Sequence, residues 1–365
     1  MRIAYLALIE IDVANACLVH TREIAEGLAA LGHEVTVILP RPLRMQAWQG
    51  VRHVWVRWWG FDRRRQWAFF VESAWRLWRL HRRRGFDLLY VREMARHPFL
   101  PGLVRLFRLP LFVEVNGWVL DDLRLLGAPR RELRAAERSQ RNLFTAAVGI
   151  LASTVGNAEK IVMDYGIPRQ RVHVQELGTN TAHFTPGDRP RVRTDLGLPL
   201  DGQIILFAGS FHPHHDLSTL VSAFAQLVDR GFEKVLLLLV GHGHQWESIQ
   251  RSVVSSGITG RVVMPGFRRY EEVWLDFQAA DIGVVPLTAT NITLRNGAVT
   301  AKLWDYMAAG LPVVVTDFPH TPSASLLAGK AYVVPPEDPN AMAGAFADLL
   351  GNVDKRDRLA QAGLN

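Results

Sequence analysis

Short continuous apolar runs alternate along most of the chain with longer segments whose apolar positions recur at helical spacing. In the first half, "RIAYLAL" predicts a buried strand, "LVHTREIAEGLAALG" an amphipathic helix ended by Gly32, and "HEVTVIL" the next strand. "DLLYV", "PLFVEV" and "AVGILAS" follow, with helical segments between them. A stretch rich in proline, glycine and charge, "TPGDRPRVRTDLGLPLDG", reads as a linker. A second series then runs through "QIILFAG", "KVLLLLVGHG", "RVVMPG", "DIGVVPL", "PVVVTD" and "AYVVPPEDP", again separated by helices. Continuous apolar strands need cover on both faces. The pattern therefore predicts an α/β chain of two open parallel sheets in tandem, residues 1–178 and 201–365, joined through 179–200. Ligands of such sheets sit at the carboxyl ends of the strands, so the expected site is a cleft between the two domains.

Composition changes this picture little. With 365 residues, 48% of them hydrophobic, two cores are feasible. Cys17 is the single cysteine, which excludes an internal disulfide framework and suits a reducing compartment. The run "RIAYLALI" is too short to span a bilayer, is closed by Glu10 and Asp12, and has no signal-peptide cleavage site. The expected location is therefore cytoplasmic. Charge is more informative. Residues 51–100 hold 12 Arg and Lys against 4 Asp and Glu, so this short region accounts for the whole net charge of +7. Basicity so localised argues against a nucleic-acid partner, which would leave a broader footprint.

The loops after the second set of strands carry Gly209, Gly241, Gly243 and Gly266, where backbone can approach a ligand. None forms a Walker loop or a GxGxxG fingerprint. The stronger signal is "GAVTAKLWDYMAAGLPVVVTD". Thr300 is positioned to cap a helix that stops at Gly310, with Leu303, Tyr306 and Met307 facing the sheet. Lys302 and Asp305 then share the other side. A lysine in a first helical turn is unfavourable by about 0.3–1 kcal/mol unless an anion lies near. A diphosphate at that N-terminus fits, with Asp305 accepting hydrogen bonds from a ribose. A solvated ion pair is the plain alternative. His212, His214 and His215 suggest a metal, but only Asp216 stands at ligand spacing, so no metal site is expected. Glu114 and Asn116 end a strand and suit acceptor hydroxyls, or are simply structural.

"AKLWDYMAAGLPVVVTD" resembles the C-terminal signature of glycosyltransferase family 4, the retaining enzymes of GT-B fold. "GLAALGHEVTVILP", "GIPRQRVHVQELGTNTAHFTPGD", "VGHGHQWESIQ", "GRVVMPGFRRYEEVWLDFQAADIGVVPL" and "YVVPPEDPNAMAGAFADLL" agree with that family in order, over nearly the whole chain. The resemblance implies two Rossmann-like domains facing across a cleft. It also implies a nucleotide-diphosphate sugar as donor, no cofactor, no essential metal, and a glycan or lipid-linked acceptor in envelope or polysaccharide synthesis. The residues it marks as catalytic are Lys302, Asp305, His215 and Asn116. Donor contacts fall to Gly209, Ser210, Gly241, Gly243, Gly266, Phe267, Arg295, Thr300 and Ala301, and acceptor contacts to Asn15, Glu114 and Asn116. Departures are specific: the family's paired glutamates correspond to Gly297 and Asp305, its phosphate-binding Arg and Lys to Ser210 and His215, and its N-domain histidine to Asn116. These swaps keep open a degenerate GT-B protein that binds nucleotide or glycan without turnover, and a GT-B sugar-nucleotide 2-epimerase. The chain stops at "DKRDRLAQAGLN", about where the family's last helix crosses back, so that helix is expected to be missing.

One region stands apart. Seven of the 11 tryptophans lie between Trp48 and Trp78, interleaved with arginines. Spacing predicts a helix over 66–83 that buries Trp67, Phe70, Val71, Ala74, Leu77 and Trp78. Trp55, Trp58, Trp59 and Trp75 do not fit on that face. Tryptophan with arginine suits a surface lying against anionic lipid, so peripheral membrane contact is expected there.

Overall fold

The computed structural model describes residues 1–9, 11, 16–43, 47–57, 63–289, 301–317 and 327–365. It divides into two compact units, Met1–Glu176 and Leu177–Asn365.

The first unit is built on a wholly parallel sheet of seven strands: β1 (Arg2–Leu6), β2 (Glu34–Pro40), β3 (Val51–Val56), β4 (Leu88–Arg92), β5 (Leu111–Val115), β6 (Gly149–Ala152) and β7 (Val172–Val174), in the order β3-β2-β1-β4-β5-β6-β7. Helices α1 (Ala16–Ala30), α2 (Arg63–Arg84), α3 (Leu100–Phe107), α4 (Val119–Leu125), α5 (Arg130–Ala146) and α6 (Val155–Tyr165) make the crossovers. Strands β3 and β7 are additions to the pattern read from sequence. Both lie at sheet edges, where one paired side is enough and a continuous apolar run is not needed.

Helix α2 differs from its expected orientation. The side it buries carries Phe69, Phe70, Ser73 and Leu77, while Trp67, Val71, Trp75 and Trp78 are exposed at 44%, 53%, 47% and 41%. Two apolar faces are available on this helix, and the sheet takes the one whose smaller rings pack against Val56 and Leu100.

The second unit carries six parallel strands, β8 (Gln203–Ala208), β9 (Val235–Val240), β10 (Val262–Gly266), β11 (Ile282–Val285), β12 (Val313–Thr316) and β13 (Tyr332–Val334), ordered β10-β9-β8-β11-β12-β13. Its helices among the described residues are α7 (Arg189–Leu196), α8 (Leu217–Asp229), α9 (Trp246–Ser255), α10 (Tyr270–Ala279), α11 (Ala301–Ala308), α12 (Pro339–Gly351) and α13 (Val353–Leu364). The central strands are buried along nearly their whole length, as two-sided helical cover requires.

The presumed linker is not featureless. Asp188 caps α7 by accepting from Arg191 N, Gly197 ends it in the left-handed region, and Arg193 is buried. The Arg193 guanidinium donates to Asp281 Oδ2 at 2.6 Å, to the Ala279 carbonyl at 2.8 Å and to the Gly202 carbonyl at 2.7 Å. Asp281 also accepts from Ile204 N at 2.7 Å and meets Arg189 at 3.0 Å. A charge read as linker polarity thus fastens α7 to the start of the sheet. Removing one member strands the other in a buried site. Asp281→Ala should therefore lower stability by about 3–5 kcal/mol, read as the urea midpoint of unfolding followed by circular dichroism.

Candidate functional site

In a doubly wound sheet the winding reverses once, and the two loops there part to leave a crevice. In the second unit the reversal lies between β8 and β11. The loop after β8 returns to that point. His215 forms an isolated bridge with Leu287, Asp216 N donates to the Pro286 carbonyl at 2.9 Å, and Thr288 N donates to the His214 carbonyl at 3.0 Å. The same loop is tied to its other neighbours: Gly209 N to the Val240 carbonyl, Phe211 N to that of His242, and Gly241 N to that of Gly266, each at 2.9 Å. Gly241, at φ +130°, has no room for a side chain, because a Cβ there would strike the Gly209 carbonyl oxygen.

Helix α11 delivers Lys302 to this crevice. Leu303, Tyr306 and Met307 are buried, as the spacing predicts, and the Tyr306 hydroxyl accepts from Ala208 N at 2.8 Å, which locks the helix to the end of β8. The Lys302 ammonium lies 2.7 Å from His215 Nε2 and 4.4 Å from the centre of the Phe207 ring. His215 Nδ1 is 2.7 Å from the Ser210 carbonyl oxygen, which can only accept. The proton therefore sits on Nδ1, and Nε2 offers its lone pair to Lys302. Burial, reinforced by Lys302 and His214, holds His215 well below its usual 6.5, so the ring is neutral. An added Cβ at Gly209 would begin 2.7 Å from Lys302 Nζ, so glycine there is what gives the ammonium its place.

Lys302 and Asp305 are thus not a solvated pair on one surface. Asp305 accepts from Thr179 Oγ1 at 2.6 Å, while Lys302 turns to the β8 loop. Burial lowers Lys302 to about 7 against the opposing pull of Asp305. Around the crevice, Ser210 is exposed, Ala301 is half-buried at the start of α11, and Phe267 is 46% exposed. Phe267 lies 5.5 Å from the His242 ring, which in turn stacks on Trp246 at 4.6 Å. Gly243 and Gly266, in the loops after β9 and β10, take positive φ angles of 156° and 80°. Arg295, Thr300 and Asn15 lie outside the described residues. Among the described residues no group of three His, Cys, Asp or Glu is placed to hold a metal ion. Asp216, the neighbour of the three histidines, instead caps α8 through Thr219 N.

The first unit has its own polar cluster at the carboxyl ends of β4 and β5. Glu114 is 3% exposed, and its carboxylate accepts from Tyr5 Oη at 3.0 Å, from Arg92 at 3.4 Å, and from His20 Nε2 and Asn116 Nδ2. Burial pushes this carboxyl up, but the bonds and charges of His20, Arg92 and Asn116 outweigh it and hold the group at about 2. Its oxygens are turned inward to these donors, and the partly exposed members are His20, Arg92 and Asn116. Nearby Glu93 is pushed up to about 8 by burial, against a hydrogen bond from Gln140. Tyr5, His20, Arg92 and Glu93 were not singled out from sequence. The available signal was position: Arg92 and Glu93 directly follow "LLYV" at a strand's carboxyl end.

Comparison with known proteins agrees with both halves. Residues 16–178 match the glycosyl transferase 4-like domain, and residues 202–352 match the glycosyl transferases group 1 model. The chain belongs to glycosyltransferase family 4. A D-inositol 3-phosphate glycosyltransferase of Nocardia farcinica is 28% identical over 62% of this chain and 50% of its own length. That of Corynebacterium efficiens is 27% identical over 67% and 62%. The matches thus span about half to three fifths of these relatives' length. Among solved structures, sucrose-phosphate synthase from Thermosynechococcus elongatus superposes with a TM-score of 0.77 at 18% identity, over 100% of this chain and 93% of that one. Anabaena HepE in complex with UDP-glucose gives 0.75 at 16%, over 99% and 93%. At such identities the likeness establishes the GT-B fold.

The half-buried lysine has a consequence for stability. Its folded-state pKa of about 7 lies below the ordinary 10.5, so between those values the unfolded chain binds more protons. The stabilisation is full above 10.5 and is lost as pH falls through about 7. Relative to Lys302→Met, the wild type should gain stability as pH rises across this window. Urea midpoints of the two proteins at matched pH values check this, and parallel curves would contradict it.

Proposed function

We propose that the protein is a retaining glycosyltransferase that moves a hexosyl group from a nucleotide-diphosphate sugar to a hydroxyl of a glycan or lipid-linked glycan, in cell-envelope or polysaccharide synthesis. The observation that carries this reading is the Lys302 ammonium at the β8/β11 crevice. Among the described residues no carboxylate bridges it, and its close polar partner is a neutral imidazole. A cation so held is a strong partner for a diphosphate.

As the sugar leaves, negative charge grows on the diphosphate, and preorganised positive groups stabilise it. Lys302, with the N–H groups of the first turn of α11, supplies that charge, and no essential metal is invoked. His215 positions Lys302 rather than touching phosphate, because its Nε2 is already engaged. Asp305, held by Thr179, accepts from the ribose. The departing phosphate takes the acceptor proton on the sugar's front face, so no strong base is demanded of Asn116, which with His20 orients the acceptor. The Anabaena structure described with UDP-glucose supports a nucleotide-sugar donor, and relatives named for inositol 3-phosphate support a polar hydroxyl acceptor. We place the protein at the inner face of the membrane, through the exposed tryptophans of α2. No described helix is long and apolar enough to cross a bilayer.

Incubation with UDP-, GDP- and ADP-sugars, followed for binding and for free sugar, tests this reading. One donor should bind and release sugar slowly. Lys302→Ala should weaken that donor's binding by about 1–3 kcal/mol with the fold intact, the range for a charge-assisted bond. Binding without release would favour the degenerate reading, and a 2-epimer product would favour the epimerase. Unchanged affinity in Lys302→Ala would overturn the assignment of the site.

A further inference from the structure

A second cationic site lies on the outer edge of the first unit, away from the Glu114 cluster. Edge strand β3 and helix α2 enclose a groove of about 470 Å³. Its floor is strand, with His53 stacked on Trp55 at 4.8 Å. Its walls carry Arg41, Arg57, Arg76, Arg79 and Arg83. Among the described residues one carboxylate, that of Glu72, bonds to this set. Glu72 holds Arg76 at 2.6 Å through one oxygen and accepts from Arg57 N at 2.8 Å through the other. No carboxylate among the described residues pairs with the guanidinium of Arg41, Arg57, Arg79 or Arg83. Four like charges around one concavity focus a positive potential there, and guanidinium forks match phosphate oxygens in pairs.

The groove opens beside an apolar strip. Trp75 lines it, with Arg79 over its ring at 5.1 Å. Trp75 also belongs to the exposed row Trp67, Val71, Trp75 and Trp78 along α2. That row spans about 17 Å, roughly half of the 22-residue helix. A small soluble phosphate would satisfy the arginines and leave this row in water. A lipid satisfies both, with its headgroup in the groove and its glycerol and acyl boundary against the tryptophans.

We propose that the groove between β3 and α2 is a binding site for the phosphate-bearing headgroup of an anionic lipid, with Arg57, Arg79 and Arg83 on the phosphate and Trp75 at the acyl boundary. This rests on the membrane contact proposed above and adds a defined site to it. The row of tryptophans then lies flat in the headgroup layer, and the acceptor domain is held at the surface where a lipid-linked acceptor resides.

Flotation with phosphatidylcholine vesicles, with and without phosphatidylglycerol, tests the site in the full chain. The wild type should float with phosphatidylglycerol vesicles at low salt and not with phosphatidylcholine alone. Arg79→Gln/Arg83→Gln should lower partitioning by roughly tenfold or more. Arg130→Gln/Arg131→Gln, an equal charge change on exposed α5, should leave it within about twofold, and both doubles should keep the wild-type melting temperature. Brominated phosphatidylglycerol should quench wild-type tryptophan fluorescence more strongly than it quenches that of Trp75→Phe. Equal loss in the two doubles would leave the membrane contact standing as bulk charge attraction and overturn the groove. No flotation of the wild type at low salt would overturn both. Displacement from vesicles by glycerol phosphate in the wild type, with equal quenching in Trp75→Phe, would make the ligand a soluble phosphate and overturn the lipid assignment.

Discussion

Both sheets are wholly parallel, and this one constraint decides where everything else goes. Parallel neighbours require a crossover each time, so every strand in a unit ends at the same edge and every return helix begins there. At the reversal of winding the flanking loops have no helix between them. In the second unit that point falls between β8 and β11, and the β8 loop, Gly209, His215 and the first turn of α11 meet there. In the first unit the carboxyl ends of β4 and β5 bring Arg92 and Glu114 together.

Within this frame the second unit holds little fixed positive charge near its crevice. The β8 loop, residues 209–216, contains no Lys or Arg. What remains is Lys302, and its surroundings make its charge conditional. Burial opposes the ammonium, the phenyl ring of Phe207 favours it weakly, and the lone pair of His215 gives it a hydrogen bond without neutralising it. His215, itself neutral, acts through the position it gives its neighbour. The Ser210 carbonyl sets this up by fixing the ring tautomer, so one backbone oxygen determines where the remaining cation stands.

Much of this was legible in the sequence because it rests on local pattern. Apolar runs such as "KVLLLLV" permit little but a strand covered on both faces, and the Leu303, Tyr306 and Met307 spacing settled which side of α11 is buried. The loop glycines were readable for the same reason, since position after a strand is a one-dimensional fact. What escaped depends on partners distant in sequence. His20 and Glu114 meet only through the strand order, and the direction of Lys302, toward His215 rather than Asp305, depends on a loop 87 residues away. Arg193 looked like linker charge because its carboxylate, Asp281, lies 88 residues on. Helix α2 misled most, because it has two apolar faces and hydrophobic spacing alone does not choose between them. Ring size against the sheet chose, and left the tryptophans outside.

On the proposed reading a half-buried lysine, largely discharged above neutrality and held by a neutral histidine, becomes the cation for a diphosphate. A diphosphate in contact with Lys302 must raise its pKa, so binding above pH of about 7 must draw a proton from solvent. Calorimetric titration with a nucleoside diphosphate at mildly alkaline pH, in buffers of different ionisation heat, measures that proton directly. Net uptake of a large fraction of one proton is expected in the wild type and close to none in Lys302→Met. Binding heats that are independent of buffer in the wild type, at unimpaired affinity, would contradict it.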